Sequence, residues 1–307
     1  MKTVFVGAVE GSERALSALI RSGRAPDLVV TLPPDRAKRH SDFADLVPLA
    51  RSSGSQLHFT DNINDPQTLA AIADREPDLA LVIGWSQIVH APFRAIPRLG
   101  TLGFHPAPLP QLRGRASIPW TILAGLTETA ASLFWIDEGC DTGDIAAQAP
   151  IPVTTLETAR SLYDKQVNAL SQLLPKVLAR IESGQIDRSP QDHTKASYCA
   201  RRRPGDGLID WTRPAEELDR LIRAVGDPYP GAFTHMDGHT VQIDAAHVFD
   251  GPPRYIGIPG QIQDRGPGWV RVSCGGFSCI EVTAWRNQTL TPLPRHAILG
   301  QNQRVSA

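Results

Sequence analysis

One histidine and a cluster of acids carry the clearest chemical pattern in this chain. His105 lies in the proline-rich segment LGFHPAPLPQLRGRASIPW, which is predicted to stay irregular until about Trp120, because proline interrupts helices and central strands. The run DEGCDTGD, residues 137–144, then places acidic side chains around two glycines. An imidazole beside a carboxylate is a common general acid and base. The pattern therefore predicts a proton-transferring pair built on His105.

A metal site is a weaker interpretation of such residues. The run 137–144 lacks the alternating acids and the terminal glutamate of a calcium-binding EF-hand. His235 and His239 have the spacing of helical metal ligands, but they flank a predicted hairpin turn, and no cysteine pair stands in a zinc register. The glycines of GAVEGS, residues 7–12, do not match the nicotinamide-binding pattern G-x-G-x-x-G. We therefore expect neither a metal ion nor a nicotinamide cofactor.

The elements around the histidine predict a doubly wound α/β domain. Apolar strand patterns alternate with helical patterns, the strands at residues 3–7, 28–32, 56–60 and 79–84 and the helices at residues 12–22, 42–52 and 65–75. Strands separated by single helices form a mainly parallel sheet with right-handed crossovers. Ligands of such sheets bind at the carboxyl ends of the strands. We expect the loop of His105 to meet there the loop that follows the strand Ala131–Trp135.

The second half of the chain has a different pattern. After a helical pattern at residues 216–225, short strand patterns follow without helices between them, and Asp237 and Gly238 form a two-residue hairpin signal. This predicts a small β-barrel domain. The polar segment Gln185–Lys195 is predicted to be a linker, so we divide the chain into domains of residues 1–190 and 191–307.

Composition excludes several classes of protein. The 307 residues include 31 Lys and Arg against 32 Asp and Glu, which gives a formal charge of −1. A protein that binds nucleic acid over its whole surface would be strongly basic, and no apolar stretch of about 18 residues is present to span a membrane. Four cysteines at irregular spacing do not form a disulfide framework. The first residues lack the apolar core of a signal peptide, so we expect a cytoplasmic protein.

The central motif resembles that of a known family. The pattern H-P-x-x-L-P-x-x-R-G-R-x-x-I-P-W, residues 105–120, followed by D-E-G-x-D-T-G-D-I, residues 137–145, is similar to the formyltransferases that use 10-formyltetrahydrofolate. That family includes methionyl-tRNA formyltransferases and amino-sugar N-formyltransferases. The run RRPGDGLIDW, residues 202–211, resembles the start of the family's C-terminal domain. The resemblance implies a Rossmann-like formyltransferase domain followed by an OB-like β-barrel domain.

The resemblance also implies a catalytic set. The family uses Asn-x-His and the first aspartate of D-T-G-D, and His105 and Asp141 match the histidine and the aspartate. Gly103 stands where the family has its asparagine, whose amide steadies the oxyanion formed when an amine attacks the formyl carbon. Loss of such a donor typically costs about 100- to 1000-fold in rate. The sequence therefore predicts a substitute donor (protonated His105, Gln87, Ser86 or an ordered water) beside a side-chain-sized space at Gly103.

The family binds the pterin through backbone groups of two loops. By register, the resemblance implies these folate-binding positions: Gln87, Ile88, Val89, Arg115, Asp137, Glu138, Gly139, Cys140 and Asp141.

The implied reaction is formyl transfer from 10-formyltetrahydrofolate to a primary amine. The near-neutral charge and the run at residues 202–211 favour an amino sugar on a nucleotide carrier. The alternative is methionyl-tRNA, which would need a basic face to contact several phosphates, and the basic cluster Arg36–His40 is short enough to be a solvated loop. A third hypothesis, motivated by Gly103, is a folate-binding protein with weak or no catalysis.

Overall fold

The computed structural model of the protein describes residues 1–39, 42–287 and 293–300. It divides into two compact units: residues 1–117, 127–153 and 162–201 form the first, and residues 118–126, 154–161 and those from 202 onward form the second. Of the basic cluster Arg36–His40, the side chains of residues 37–39 and the whole of His40 lie outside the described residues.

The strands and helices are numbered in chain order. The strands are β1 Thr3–Val6, β2 Leu28–Thr31, β3 Gln56–Phe59, β4 Leu79–Val82, β5 Gly100–His105, β6 Arg113–Gly114, β7 Glu128–Trp135, β8 Ile145–Pro152, β9 Tyr198–Cys199, β10 Ala232–Met236, β11 His239–Val248, β12 Ile262–Gly266, β13 Trp269–Ser273 and β14 Cys279–Asn287. The helices are α1 Glu10–Arg21, α2 Val47–Ser53, α3 Pro66–Ala73, α4 Ala91–Arg94, α5 Ser117–Leu123, α6 Ala159–Glu182 and α7 Ala215–Val225.

The first unit is built on a seven-stranded sheet in the order β3-β2-β1-β4-β5-β7-β8. The neighbours from β3 to β5 are parallel, whereas β7 and β8 are antiparallel additions to one side. Residues 136–144 connect β7 to β8 and are too few for the crossover that a parallel pair requires, which is a dozen or more residues. The architecture confirms the predicted doubly wound, mainly parallel domain.

Alternate residues of the central strands pack on opposite faces of this sheet. On one face, Phe5, Leu81 and Leu102 belong to a buried cluster with residues of α1 and α6. On the other face, Val6 and Val82 belong to a second buried cluster. Both clusters exclude water from the sheet, which explains why its strands are nearly all apolar in sequence.

Two predicted helices have different starts in the structure. The predicted helix at residues 42–52 begins only at Val47, because the Asp42 carbonyl accepts the Glu10 N–H and the Ala44 N–H donates to the Ala8 carbonyl. These two hydrogen bonds hold residues 42–44 in an extended conformation rather than in a helix. Helix α5 begins at Ser117, earlier than predicted, because proline is tolerated in the first turn of a helix.

The second unit contains a five-stranded antiparallel sheet in the order β10-β11-β14-β13-β12. Asp237 and Gly238 connect β10 to β11 with φ values of 49° and 80°, as the predicted hairpin turn requires. Helix α7 packs on this sheet through buried residues such as Leu218 and Ile222. Among the described residues, no helix has the length and apolar character that a membrane crossing would need.

Candidate functional site

His105 is the last residue of β5, and its buried ring is held between two acceptors. Its Nε2 lies 2.7 Å from the Leu112 carbonyl oxygen, and its Nδ1 lies 3.5 Å from the Asp141 carboxylate. A carbonyl oxygen only accepts, so Nε2 carries a proton. Nδ1 is therefore the nitrogen that is left to exchange a proton with a ligand, and it faces the Asp141 carboxylate.

The loop that carries Asp141 reaches His105 by folding back. Because β7 is antiparallel to β5, the chain leaves β7 at Trp135, which lies beside Leu102 rather than beside His105. The next residue, Ile136, donates its N–H to the Thr101 carbonyl, still farther from the histidine. The loop of His105 meets the loop that follows Ala131–Trp135, as the sequence predicts, but the antiparallel direction of β7 makes the second loop turn back to reach the histidine. We call residues 136–144, between β7 and β8, the fold-back loop, because residues 137–141 run back toward His105.

Two glycines permit the tight path of this loop. A Cβ atom at Gly143 would overlap the Trp135 carbonyl, and one at Gly139 would overlap the Thr142 hydroxyl. The Asp137 carboxylate accepts hydrogen bonds from the Gly139 N–H at 3.0 Å and from the Thr142 hydroxyl at 2.6 Å. The Asp137 side chain therefore stabilises the loop by bonding to both Gly139 and Thr142.

Asp141 is held in place by hydrogen bonds from other segments of the first unit. Its carboxylate accepts the Gly114 N–H at 2.8 Å, so the loops of His105 and Asp141 are bonded to each other directly. Its backbone has a φ of 54°, in the left-handed region that few residues other than glycine adopt. The neighbouring Cys140 is a poor nucleophile, because desolvation and the charge of Asp141 raise the pKa of its thiol.

The space expected at Gly103 is filled by apolar side chains. A Cβ atom at this buried position would lie 3.0 Å from carbon atoms of both Ile136 and Phe134. The prediction of a side-chain-sized opening for a water or a bulky nucleophile is therefore wrong. Ile136 comes from the fold-back loop, whose path could not be inferred from the residues around Gly103.

Gln87 uses its amide oxygen and one of its two amide hydrogens within the first unit, which leaves one amide hydrogen without an acceptor among the described residues. Its Nε2 donates to the Asp61 carbonyl at 2.7 Å, and its Oε1 accepts from the Ile63 N–H at 2.9 Å and the Trp85 indole at 3.3 Å. The side chain ties the end of β4 to the loop after β3. Of the predicted substitute donors, His105 has the most closely defined position, because its ring lies between the Leu112 carbonyl and the Asp141 carboxylate.

The predicted folate-binding residues fall into three groups, one of which consists of Ile88 and Val89, the two residues after Gln87. Gln87 and Arg115 line one cavity of about 300 Å³. The residues of the third group belong to the fold-back loop around Asp141, and they are Asp137, Glu138, Gly139, Cys140 and Asp141. The backbone N–H groups of Ile88, Val89 and Cys140 have no acceptor among the described residues.

The segment after β4, which contains Trp85 and Val89, and the loop after β7, which begins with Ile136, contribute to the same apolar cluster. Val89 is buried there, and Trp85 and Ile136 pack against it, whereas the Ile88 side chain is 65% exposed. A pterin needs an apolar slot with backbone donors at its edge. The uncommitted N–H groups beside this cluster fit that requirement.

The cavity of about 300 Å³ lies at the carboxyl ends of parallel strands. Its walls come from the residues that follow β2, β3 and β4 and from two arginines, and they are Leu32, Asp61, Trp85, Ser86, Gln87, Arg115 and Arg201. Asp61 is paired with Arg36 at 3.3 Å. Within the described chain neither Arg115 nor Arg201 has a hydrogen bond or an ion pair. The uncommitted charge of the cavity is therefore positive, which suits an anionic ligand.

Sequence reasoning missed the residues that hold the two loops together. Gln191, which the sequence analysis places in a linker, donates to the Asp141 and Gly143 carbonyls. Arg113, a motif residue with no predicted role, is 1% exposed and bonds to Gln191. The only sequence signal for this structural role was the polar character of the two residues, one in the motif of residues 105–120 and the other in the predicted linker. Where the structure describes residues, no three or more His, Cys, Asp or Glu side chains form a metal-binding group.

Comparison with known proteins identifies related chains over both units. Residues 4–178 match the family described as Formyl transferase, and residues 202–299 match Formyl transferase, C-terminal domain. The methionyl-tRNA formyltransferase of Agathobacter rectalis is 32% identical over 287 residues, which are 92% of this chain and 91% of that protein.

Two solved structures are similar in fold. The sugar 3N-formyl transferase WlaRD, in the presence of dTDP and 5-N-formyl-THF, has a TM-score of 0.66 at 16% identity, over 95% of this chain and 99% of that one. The N-formyltransferase from Helicobacter canadensis, in complex with folinic acid and dTDP-3-aminofucose, has a TM-score of 0.66 at 17% identity. That match covers 92% of this chain and 99% of the other.

Proposed function

Since the chain belongs to the formyl transferase family, we propose that it transfers the formyl group of 10-formyltetrahydrofolate to a primary amine on a nucleotide-linked sugar. The observation that carries the catalytic part is the pairing of the buried His105 ring with Asp141 at 3.5 Å. Gly103 belongs to the same site as the position that lacks the family's amide.

The pair can move the protons that the reaction requires. The donor supplies a formyl group on N10; the amine nitrogen bonds to the formyl carbon, and the bond from that carbon to N10 breaks. The attacking amine loses a proton, which His105 accepts at Nδ1, and the departing N10 gains one, which the charged ring returns. Asp141 stabilises the charged ring between these events. The Leu112 carbonyl keeps Nε2 protonated throughout, which fixes the tautomer.

The cavity beside Gln87 supports an acceptor that carries phosphate. Arg115, which the resemblance assigns to folate binding, and Arg201 are its uncommitted cations. We infer that they bind the acceptor's phosphate instead, because guanidinium groups bind phosphates in bidentate fashion. The indole of Trp85 adds an aromatic wall. A sugar linked to a nucleoside diphosphate presents both a charged group and a base. The Helicobacter canadensis enzyme, which shares the fold, has such a ligand.

Methionyl-tRNA is the second candidate acceptor, and a specific observation favours it. Two relatives above 30% identity over nine-tenths of this chain, 32% and 33% identical, are methionyl-tRNA formyltransferases. The same two arginines would then contact phosphates of the tRNA acceptor end. Binding of tRNA falls steeply with salt when several phosphates are neutralised, whereas a single diphosphate contact has a shallow dependence.

The test is formyl transfer by the purified protein with 10-formyltetrahydrofolate and two sets of acceptors. One set contains nucleotide-linked amino sugars, and the other contains methionyl-tRNA. We expect transfer to an amino sugar, and His105→Ala to reduce it by at least about 100-fold. Transfer only to tRNA would replace the first acceptor by the second, and no transfer to either would refute the proposed function.

Two arginine variants test the cavity. Arg115→Ala and Arg201→Ala are each expected to raise KM for the phosphate-bearing acceptor by about tenfold, the value of one charge-assisted contact of about 1.5 kcal/mol. The matched control is Arg51→Ala, an exposed arginine on α2 outside the cavity. An unchanged KM in both cavity variants would show that the acceptor binds elsewhere.

A further inference from the structure

We propose that Gln191 is a positioning residue for formyl transfer, which sets the distance between Asp141 and His105 from a segment outside both family matches. Those matches end at residue 178 and resume at residue 202. We call residues 189–199 the strap. The proposal rests on the proposed roles of His105 and Asp141.

The Gln191 amide uses all of its hydrogen-bonding capacity inside the first unit. The side chain is buried, with 6% exposed. Its Nε2 donates to the Asp141 carbonyl at 3.0 Å and the Gly143 carbonyl at 2.6 Å. Its Oε1 accepts from Arg113 Nε at 3.2 Å and from a terminal nitrogen of Arg113 at 2.6 Å. Two donors and two acceptor sites are all that an amide has.

Arg113 determines which way this amide points. Its guanidinium can only donate, so the oxygen of Gln191 must face it and the NH₂ group must face the Asp141 loop. Arg113 also contacts the Tyr198 hydroxyl and His193 Nδ1, each at 3.1 Å, and has no carboxylate partner within the described residues. A buried cation is costly unless its donors are satisfied. The strap supplies three partners for the Arg113 guanidinium, which are Gln191, His193 and Tyr198. Because Gln191 turns its oxygen toward Arg113, its NH₂ group is left to bind the loop that carries Asp141.

The strap also holds the other acceptor of the His105 ring. The Ser197 hydroxyl accepts the Leu112 N–H at 2.9 Å, and the Ser197 carbonyl accepts the Arg113 N–H at 2.9 Å. Leu112 has a φ of 56°, a left-handed conformation that is unfavourable for a residue other than glycine. Bonds on both sides of Leu112 hold that conformation. Its carbonyl is the one that binds His105 Nε2.

One short segment therefore controls both sides of the imidazole. Gln191 fixes the loop of the carboxylate at Nδ1, and Ser197 fixes the carbonyl at Nε2. Misplacement of a catalytic group by about 1 Å can cost about 100-fold in rate. Loss of the strap's bonds should therefore slow transfer although no strap residue touches the reacting atoms.

The decisive variant is Gln191→Glu. Glutamate keeps two oxygens for Arg113 and forms an ion pair with it, so the buried cation stays satisfied and the protein should fold. Neither oxygen of an ionised glutamate can donate to the carbonyls of Asp141 and Gly143, so both hydrogen bonds that hold the loop are lost. The matched control is Gln185→Glu, because that exposed amide bonds only to the side chain of Asp187.

Two measurements test the proposal. We expect kcat to fall by at least about tenfold in Gln191→Glu, with an altered pH–rate profile, while Gln185→Glu stays within about twofold of wild type, as surface substitutions do. Without any acceptor, ¹⁵N NMR of the His105 ring should show Nδ1 moving toward the signal of an isolated imidazole in Gln191→Glu only. Ser197→Ala should perturb Nε2 instead, and this variant serves if Gln191→Glu does not fold.

A folded Gln191→Glu protein with wild-type kcat and wild-type ring signals would refute the proposal, as would an unperturbed ring in Ser197→Ala. Failure of the proposed function looks different. The wild-type protein would then transfer no formyl group to any acceptor, while the ring signals would still respond to the strap variants.

Discussion

Replacing Gly103 by asparagine, the residue that the family has at this position, tests whether an asparagine side chain fits there. The structure has no room for it. A Cβ atom at position 103 would lie 3.0 Å from Ile136 Cδ1 and Cγ1 and from Phe134 Cε1, whereas carbon atoms prefer separations of about 3.5–4.0 Å. Asparagine adds three more heavy atoms beyond Cβ.

The expected cost follows from two effects. Overpacking of a filled site costs about 1–3 kcal/mol, and a buried amide without partners adds about 1–3 kcal/mol. We expect a loss of about 3 kcal/mol in the free energy of unfolding. For a unit of nearly 200 residues, each 1 kcal/mol lowers Tm by about 2–4 °C, so Tm should fall by about 6–12 °C. Formyl transfer should fall as well, because Ile136 begins the loop that carries Asp141.

The assay combines thermal unfolding with single-turnover formyl transfer in a double-mutant cycle. Gly103→Asn is compared with Ile136→Ala and with the protein that carries both changes. Removal of the Ile136 side chain makes room for the amide, so the double variant should recover about 1–3 kcal/mol relative to the sum of the single changes. If a missing donor limits this enzyme, the double variant should also transfer faster than Ile136→Ala, by up to about 100-fold.

Two results would refute this reasoning. One is a Gly103→Asn protein with wild-type Tm, because the side chain would then have found space that the structure fills. The other is strict additivity in the cycle, which would mean that position 103 and Ile136 do not compete for the same volume.

Three further predictions concern other parts of the first unit. Asp141→Asn keeps an acceptor for the Gly114 N–H but loses the charge that faces His105 Nδ1, so single-turnover formyl transfer should fall well below that of wild type while Tm changes little. Gly143→Ala should unfold the fold-back loop, because its Cβ overlaps the Trp135 carbonyl; a marked fall in Tm and in transfer would be measured. The Lys2 N–H and the Arg98 guanidinium hold the pKa of Asp78 below its ordinary value of 3.8. A lowered pKa stabilises the folded state above the unfolded-state value, and this is lost as pH falls through the folded-state value. Urea unfolding from pH 6 to pH 2 should therefore show a smaller acid-induced loss in Asp78→Asn than in wild type.

The sequence by itself determined the elements whose signals are local. The apolar runs of β1, β2 and β4 predict buried parallel strands, because a strand covered on both faces has no polar side. Asp237 and Gly238 predict their turn, because residues of this type tolerate positive φ. The H-P-x-x-L-P motif singles out His105 and the D-T-G-D motif singles out Asp141, so both residues of the candidate pair were predicted, together with the family, although the strand that ends at His105 was not.

Only the tertiary structure decided how those residues meet. Because β7 is antiparallel to β5, the loop that follows it must turn back before Asp141 can reach His105. The same path places the Ile136 side chain against Gly103, where it fills the space that was expected there. Gln191 gains its role only because a buried arginine far away in sequence orients its amide. Each of these outcomes depends on contacts between segments separated by many residues, and neither strand propensity nor motif spacing contains the direction or the packing that makes such contacts.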